Sequence, residues 1–324
     1  MTDVLAKCEI CQALLDEEDL FCANCGTEAP RQQPTADLAT RVFTHKFQCS
    51  NCGASMSYDA SAGSLRCPFC SSVDLVEQAD GKEIAPKKVV PFDVNQETAI
   101  AAMRQWLGKG FWRPSDLSEQ ALVVSTTAVY LPYWVFAGDT HTYWTADTNQ
   151  TPSGARGDWF PLFGEHRGQY QGMLIGASGA LSSQETGQLC PYELSRGIEP
   201  DAADLENVIV EQFTTARKYA RPLARQGVEA MEAQACQTNY VPGTARNVKA
   251  NVRITGLSSE PCLLPVWIMA YRYGDQVFRF LVNGQTGKAA GAAPLSWRKV
   301  GLAAGIAVIL LLIIAIVAAL SSRQ

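Results

Sequence analysis

Apolar side chains recur at Ala99, Ile100, Met103, Trp106 and Leu107, the spacing of three and four that lines one face of a helix. Asp93 or Asn95 can cap its start, and Gly108 and Gly110 stop it. The pattern then changes period. Residues 122–136 and 141–146 are rich in β-branched and aromatic side chains and predict strands. Residues 168–181 are apolar but broken by glycines, which predicts a strand with its turns. A long helix is predicted from near Asp201, with Leu205, Val208, Ile209, Phe213 and Ala216 on one face. Pro222 ends or kinks it, and residues 223–234 resume a helical composition. Strands return at 248–254, 263–273 and 276–282. Residues 91–294 are therefore expected to be an α+β body, helices packed on an antiparallel sheet.

That body contains an echo. Leu131-Pro132-Tyr133-Trp134-Val135-Phe136 matches Leu264-Pro265-Val266-Trp267-Ile268-Met269 at an offset of 133 residues. A helical segment and a strand precede each copy, and a hairpin follows it. Duplication of a helix-plus-meander unit would explain this; chance recurrence in an aromatic-rich chain is the alternative. Beyond the body, residues 301–320 carry no charged or polar side chain. Twenty helical residues span about 30 Å, the thickness of a bilayer core. Trp297, Arg298 and Lys299 precede the span and only Arg323 is charged after it, so the body is expected on the cytoplasmic side. The expected localisation is a bacterial inner membrane, single-pass and tail-anchored.

The N-terminal 80 residues follow neither period. They hold eight cysteines as four Cys-x-x-Cys pairs: Cys8 and Cys11, Cys22 and Cys25, Cys49 and Cys52, Cys67 and Cys70. Two such pairs face to face supply the four tetrahedral sulfurs that a structural Zn²⁺ prefers. Read in order they give two zinc ribbons, one from Cys8, Cys11, Cys22 and Cys25, the other from Cys49, Cys52, Cys67 and Cys70. A disulfide framework and a redox dithiol are the rival readings. The even pattern, and an opening without a basic or apolar leader, favour two structural zinc ions. Gly26 and Gly53 follow directly after Cys25 and Cys52, where a glycine lets the knuckle turn. The expected organisation is ribbon 1 over 1–30, a linker over 31–43, ribbon 2 over 44–76, a linker over 77–90, the body over 91–294 and the tail anchor over 295–324. Cys190, Cys236 and Cys262 follow no ligand spacing and are expected as buried apolar side chains.

Charge narrows the partners. The chain has a net charge of −5. Residues 1–80 carry five basic side chains against twelve acids, the opposite sign to the one phosphate contact needs. Nucleic-acid binding is thereby disfavoured, although ribbons often serve it. The phosphate-binding, zinc-protease and serine-elbow motifs are absent. Asp158, Glu165 and His166 could be drawn as an acid–base set, but solvated loop residues are the simpler reading. No enzymatic activity and no small-molecule substrate are expected. The cluster Arg217, Lys218, Arg221 and Arg225 reads as an exposed helix face or a contact with anionic lipid.

The second ribbon, Val90-Pro91-Phe92, residues 130–136 and the block LPVWIMAYRYGDQVFRFLVNGQTGKAAGAAPLS at 264–296 lead straight into the span. Together they resemble a bacterial family of tail-anchored membrane proteins with a transcription-factor-B-type zinc ribbon, over roughly residues 44–320. Some relatives are encoded beside stomatin/flotillin-like (SPFH) and phage-shock proteins. The resemblance implies a scaffold that recruits such a partner to the membrane in envelope stress. The Cys8–Cys25 ribbon goes beyond this pattern. Separately, residues 278–288 are similar to the hairpin of small PepSY-like domains. The expected function is a non-enzymatic zinc-binding adaptor; the alternative is a membrane-tethered nucleic-acid-binding or regulatory protein.

Overall fold

The computed structural model describes residues 6–12, 14–15, 27, 45–58, 66–70, 72–78, 84–203, 205 and 208–321. Strands β1 (Ala6–Lys7) and β2 (Leu14–Leu15) form an antiparallel pair at the N-terminus. Next come β3 (His45–Cys49), β4 (Ser55–Tyr58), β5 (Leu75–Glu77) and β6 (Lys88–Val89). Helices α1 (Gln96–Leu107) and α2 (Leu117–Gln120) lead into the long strands β7 (Leu122–Thr148) and β8 (Phe160–Gly176). Helix α3 (Ser183–Leu189), two 3₁₀ turns and β9 (Ile209–Glu211) precede α4 (Arg217–Tyr240). The chain closes with β10 (Ala245–Tyr273), β11 (Gln276–Asn283), β12 (Ala289–Gly291) and α5 (Trp297–Ser321).

The spine is the antiparallel pair β7 and β10, in register from Leu122 opposite Arg272 to Thr148 opposite Ala245 with bulges between. In that pairing Leu131 lies directly opposite Leu264, so the two copies of the echoed motif face one another about a local two-fold. The correspondence extends outward. On the outer edge of β7, residues Val129 and Tyr130 pair in parallel with β9, and Tyr133 onward pairs antiparallel with β8. On the outer edge of β10, Cys262 and Leu263 pair in parallel with β6, and Val266 onward pairs antiparallel with β11. Pro132 and Pro265 sit at these changes of partner. Their carbonyls accept from the N–H groups of Ala177 and Gly284, at 2.9 and 2.8 Å. Each prolyl nitrogen therefore faces the same outer edge, in the gap where the ladder asks for no donor.

The tryptophans complete the symmetry. Trp134 Nε1 donates to the Thr215 carbonyl at 2.8 Å, two residues before α4, and Trp267 Nε1 donates to the Val94 carbonyl at 2.7 Å, two residues before α1. Phe213 packs on Trp134 at 5.3 Å between centroids, and Phe92 packs on Trp267 at 5.4 Å. Each strand thus anchors the helix belonging to the other half. Asn95 caps α1, its side chain accepting from the Thr98 N–H at 2.8 Å. Ala99, Met103 and Leu107 of α1 pack on Met269, Tyr271, Phe280 and Val282. Ala220 and Ala224 of α4 pack on Trp134, Phe136 and Ala177.

Three expectations are corrected. The helix expected from Asp201 starts only at Arg217, and runs through Pro222 to Tyr240. Ile209 and Val210 of the β-branched run instead enter the sheet in β9, filling the ladder between β7 and β4. The pairs of strands expected at 122–136 and 141–146, and at 248–254 and 263–273, are single strands that stay continuous through bulges. Strand β8 begins eight residues before the expected apolar stretch. Strands β3, β4 and β5, from the stretch expected as ribbon 2, belong to the large sheet, in the order β12-β11-β10-β7-β9-β4-β3-β5.

Strand β9 carries that junction and one buried acid. Glu211 is 1% exposed; one oxygen accepts from Ser178 Oγ and from the Gly179 N–H, both at 2.9 Å, while the other has no partner among the described residues. Burial pushes its carboxyl up to about 7, against these donors. Because the folded value is the higher one, this residue's contribution is fully present below about pH 4.5 and is lost as pH rises through 7. Glu211→Gln is expected to flatten that decline and to stabilise the protein above pH 7 by roughly 2–3 kcal/mol, measured by thermal melts between pH 4.5 and 8.

Candidate metal centre

The second set of cysteines converges. The Sγ atoms of Cys49, Cys52, Cys67 and Cys70 all lie within 4.8 Å of one another. Cys49 and Cys70 are 3.5 Å apart, as are Cys52 and Cys67. Four sulfurs about 2.3 Å from a tetrahedral Zn²⁺ would lie about 3.8 Å apart, so the set fits such an ion with small adjustments.

Local sequence explains the convergence. Cys49 ends β3, and its N–H donates to the Ala54 carbonyl at 2.9 Å; Cys67 repeats this toward Ser72, also at 2.9 Å. Gly53 closes the first knuckle with its N–H on the Cys49 carbonyl at 2.8 Å and with φ of +77°, where only glycine is unstrained. Cys49 and Cys67 are buried in the same apolar cluster as Met56, Phe69, Val129, Leu131 and Leu264. The centre is therefore welded to the core of the body. Burial pushes the Cys67 thiol up and takes Cys52 to about 11. Burial also acts on Cys70, but hydrogen bonds from Asn51, the Ser72 backbone and the neighbouring thiols bring it down to about 7. A Zn²⁺ held here would bind the thiolate forms and release the remaining thiol protons.

Of the first set, Cys8 and Cys11 flank one turn of the β1–β2 pair, and Cys22 and Cys25 lie outside the described residues, as does Gly26. That turn has the form of the second: the Gln12 N–H donates to the Cys8 carbonyl at 2.9 Å with φ of +59°. Cys236 and Cys262 are buried, and Cys190 partly so.

Asp158, Glu165 and His166 do not converge. Glu165 bonds His141 Nε2 at 2.8 Å on one face of the sheet, whereas His166 turns to Tyr240 OH at 3.0 Å on the α4 side. A polar cluster that sequence reading missed lies there. Fully buried Glu232 of α4 accepts from the hydroxyls of Thr140, Thr142 and Tyr170, with His166 Nε2 at 4.0 Å. Burial pushes its carboxyl up, but the three hydroxyls and His166 hold it below the usual range. The i, i+2 spacing of Thr140 and Thr142 was its one trace in the sequence. Every oxygen in this cluster is satisfied, as in a structural network.

No family model matches the chain, and no solved structure matches it. A Bacillus subtilis (strain 168) protein, described as uncharacterized protein YdjG, is 26% identical over 311 residues, covering 78% of this chain and 91% of its own length.

Proposed function

We propose that the chain is a non-enzymatic, tail-anchored scaffold of the bacterial inner membrane that holds a zinc ribbon against its body and offers it to a cytoplasmic protein. The observation that carries this reading is the fusion of the four-cysteine centre, through β4 and β9, to a body that leads into a long apolar helix. Rigid attachment suits presentation of a surface. Among the described residues β5 ends the sheet, with Val76 exposed on the strand and Val73 exposed just before it, an edge suited to strand addition. The acid excess in residues 1–80 favours a protein partner over nucleic acid. In the same reading Cys8, Cys11, Cys22 and Cys25 hold a second zinc, supported by the matching turn at Gln12, and the two halves of the body are PepSY-like repeats, supported by their matched registers. The partner class is SPFH/flotillin-like or phage-shock-type.

Affinity purification of the full chain from membranes of its native host is expected to recover such a protein, and Cys67→Ser to lose it. Recovery of no stable protein partner would contradict the proposal. A salt-sensitive gel shift by the zinc-loaded chain would favour the nucleic-acid alternative.

A further inference from the structure

The loop between α1 and α2 reads Gly108-Lys109-Gly110-Phe111-Trp112-Arg113-Pro114-Ser115-Asp116. Its two aromatic residues contact each other edge to face at 5.0 Å, yet Phe111 is 72% exposed and Trp112 46% exposed. Phe111 lies mostly in water, and nearly half of Trp112 does too. The loop is also fixed to the start of α5. The Ser296 N–H donates to the Trp112 carbonyl at 2.7 Å, and Lys299 Nζ donates to the Arg113 carbonyl at 2.8 Å. On the α5 side of this joint, Leu295 and Trp297 are 58% and 78% exposed. Four large apolar side chains from two distant stretches thus surround the root of one helix.

The charges around them are mostly positive. Residues 108–116 and 292–300 carry Lys109, Arg113, Arg298 and Lys299 against one acid, Asp116, which accepts from the Tyr273 hydroxyl at 2.9 Å, in a chain whose net charge is −5. Arg113 is itself positioned, its guanidinium 3.4 Å from the Trp106 ring centroid. Exposed tryptophan and phenylalanine edged by lysine and arginine is the composition of a membrane–water interface. Helix α5 has 25 residues, about 37 Å, which exceeds the bilayer core by a little over one turn and leaves Trp297 at headgroup level.

We infer that Phe111 and Trp112 form a second membrane contact, a loop that enters the headgroup layer beside the root of α5 and holds the body against an anionic bilayer. This rests on the reading of α5 as a membrane span. The body would then be held against the membrane at two points, which fixes its tilt and the direction in which the four-cysteine centre faces.

The test reconstitutes the full chain in nanodiscs of phosphatidylcholine and phosphatidylglycerol, with and without bromine on the upper acyl chain. The emission lost between wild type and Trp112→Phe belongs to residue 112, and that lost between wild type and Trp297→Phe to residue 297. Brominated lipid is expected to quench both to a similar fraction. Quenching of Trp297 without Trp112 would overturn the second contact and leave the span standing. Quenching of neither would overturn the span and this inference with it.

Discussion

Trp134→Ala and Trp267→Ala are each expected to cost about 3–5 kcal/mol, and to loosen opposite halves of the molecule. Trp134 is buried, packs on Phe213 with Arg217 over its ring, and donates to the carbonyl just before α4. Alanine there removes the indole and leaves the Thr215 carbonyl without that donor. Trp267 stands in the same relation to Phe92, Val94 and α1. Tryptophan to phenylalanine keeps most of the ring and removes only the hydrogen bond, and is expected to cost about 1–3 kcal/mol. Urea unfolding of the full chain in mild detergent reads the totals, and hydrogen exchange reads the location. Because the anchoring is crossed, Trp134→Ala should speed exchange in α4 and spare α1, and Trp267→Ala should do the reverse. Loosening of the helix within the same half would contradict the crossed arrangement.

Cys67→Ser is expected to be at least as damaging. It removes one of four sulfurs that lie within 4.8 Å of each other and disturbs a cluster shared with the body. Structural zinc supplies about 10–16 kcal/mol of apparent binding energy in zinc-finger peptides. Here β7 and β10 retain their own packing, so the loss should be regional, with a fall in overall stability of more than about 4 kcal/mol. Hydrogen exchange is expected to rise in β3, β4, β5 and β9 while the β7–β10 spine stays protected. A strong chelator should reproduce the same map. Uniform loosening of the whole sheet would mean that the body depends on the metal as well.

Much of this architecture was legible in the residues, and its failures have physical causes. Helix α1 was readable because period, cap and stop agreed, and the structure selects Asn95 over Asp93 as its cap and ends it at Gly108. The echo at 131 and 264 was visible as a repeat, but its meaning was not, since only the pairing shows Leu131 facing Leu264. Strand β8 was half hidden because its glycines read as turns. They mark close approaches: a Cβ at Gly164 would come within 2.8 Å of the Trp144 indole, and one at Gly176 within 2.6 Å of Thr186 Oγ1. The stretch ahead of Arg217 misled because Leu205, Val208, Ile209 and Phe213 satisfy a helical period while a gap in the sheet selects the strand. At the four-cysteine centre the set that converges was legible from spacing alone. Its fusion to the body was not, because Val210 and Glu211, which bridge the two, carry no ribbon signature.

The central claim is that Cys49, Cys52, Cys67 and Cys70 close around one structural zinc. Zinc-edge X-ray absorption of the full chain, purified in detergent under reducing conditions without added metal, tests it most directly. The account predicts bound zinc with an all-sulfur shell of four ligands at about 2.3 Å, reduced when Cys67 is replaced by serine. A metal-free chain with these cysteines paired as disulfides, or a shell dominated by nitrogen and oxygen, would contradict it.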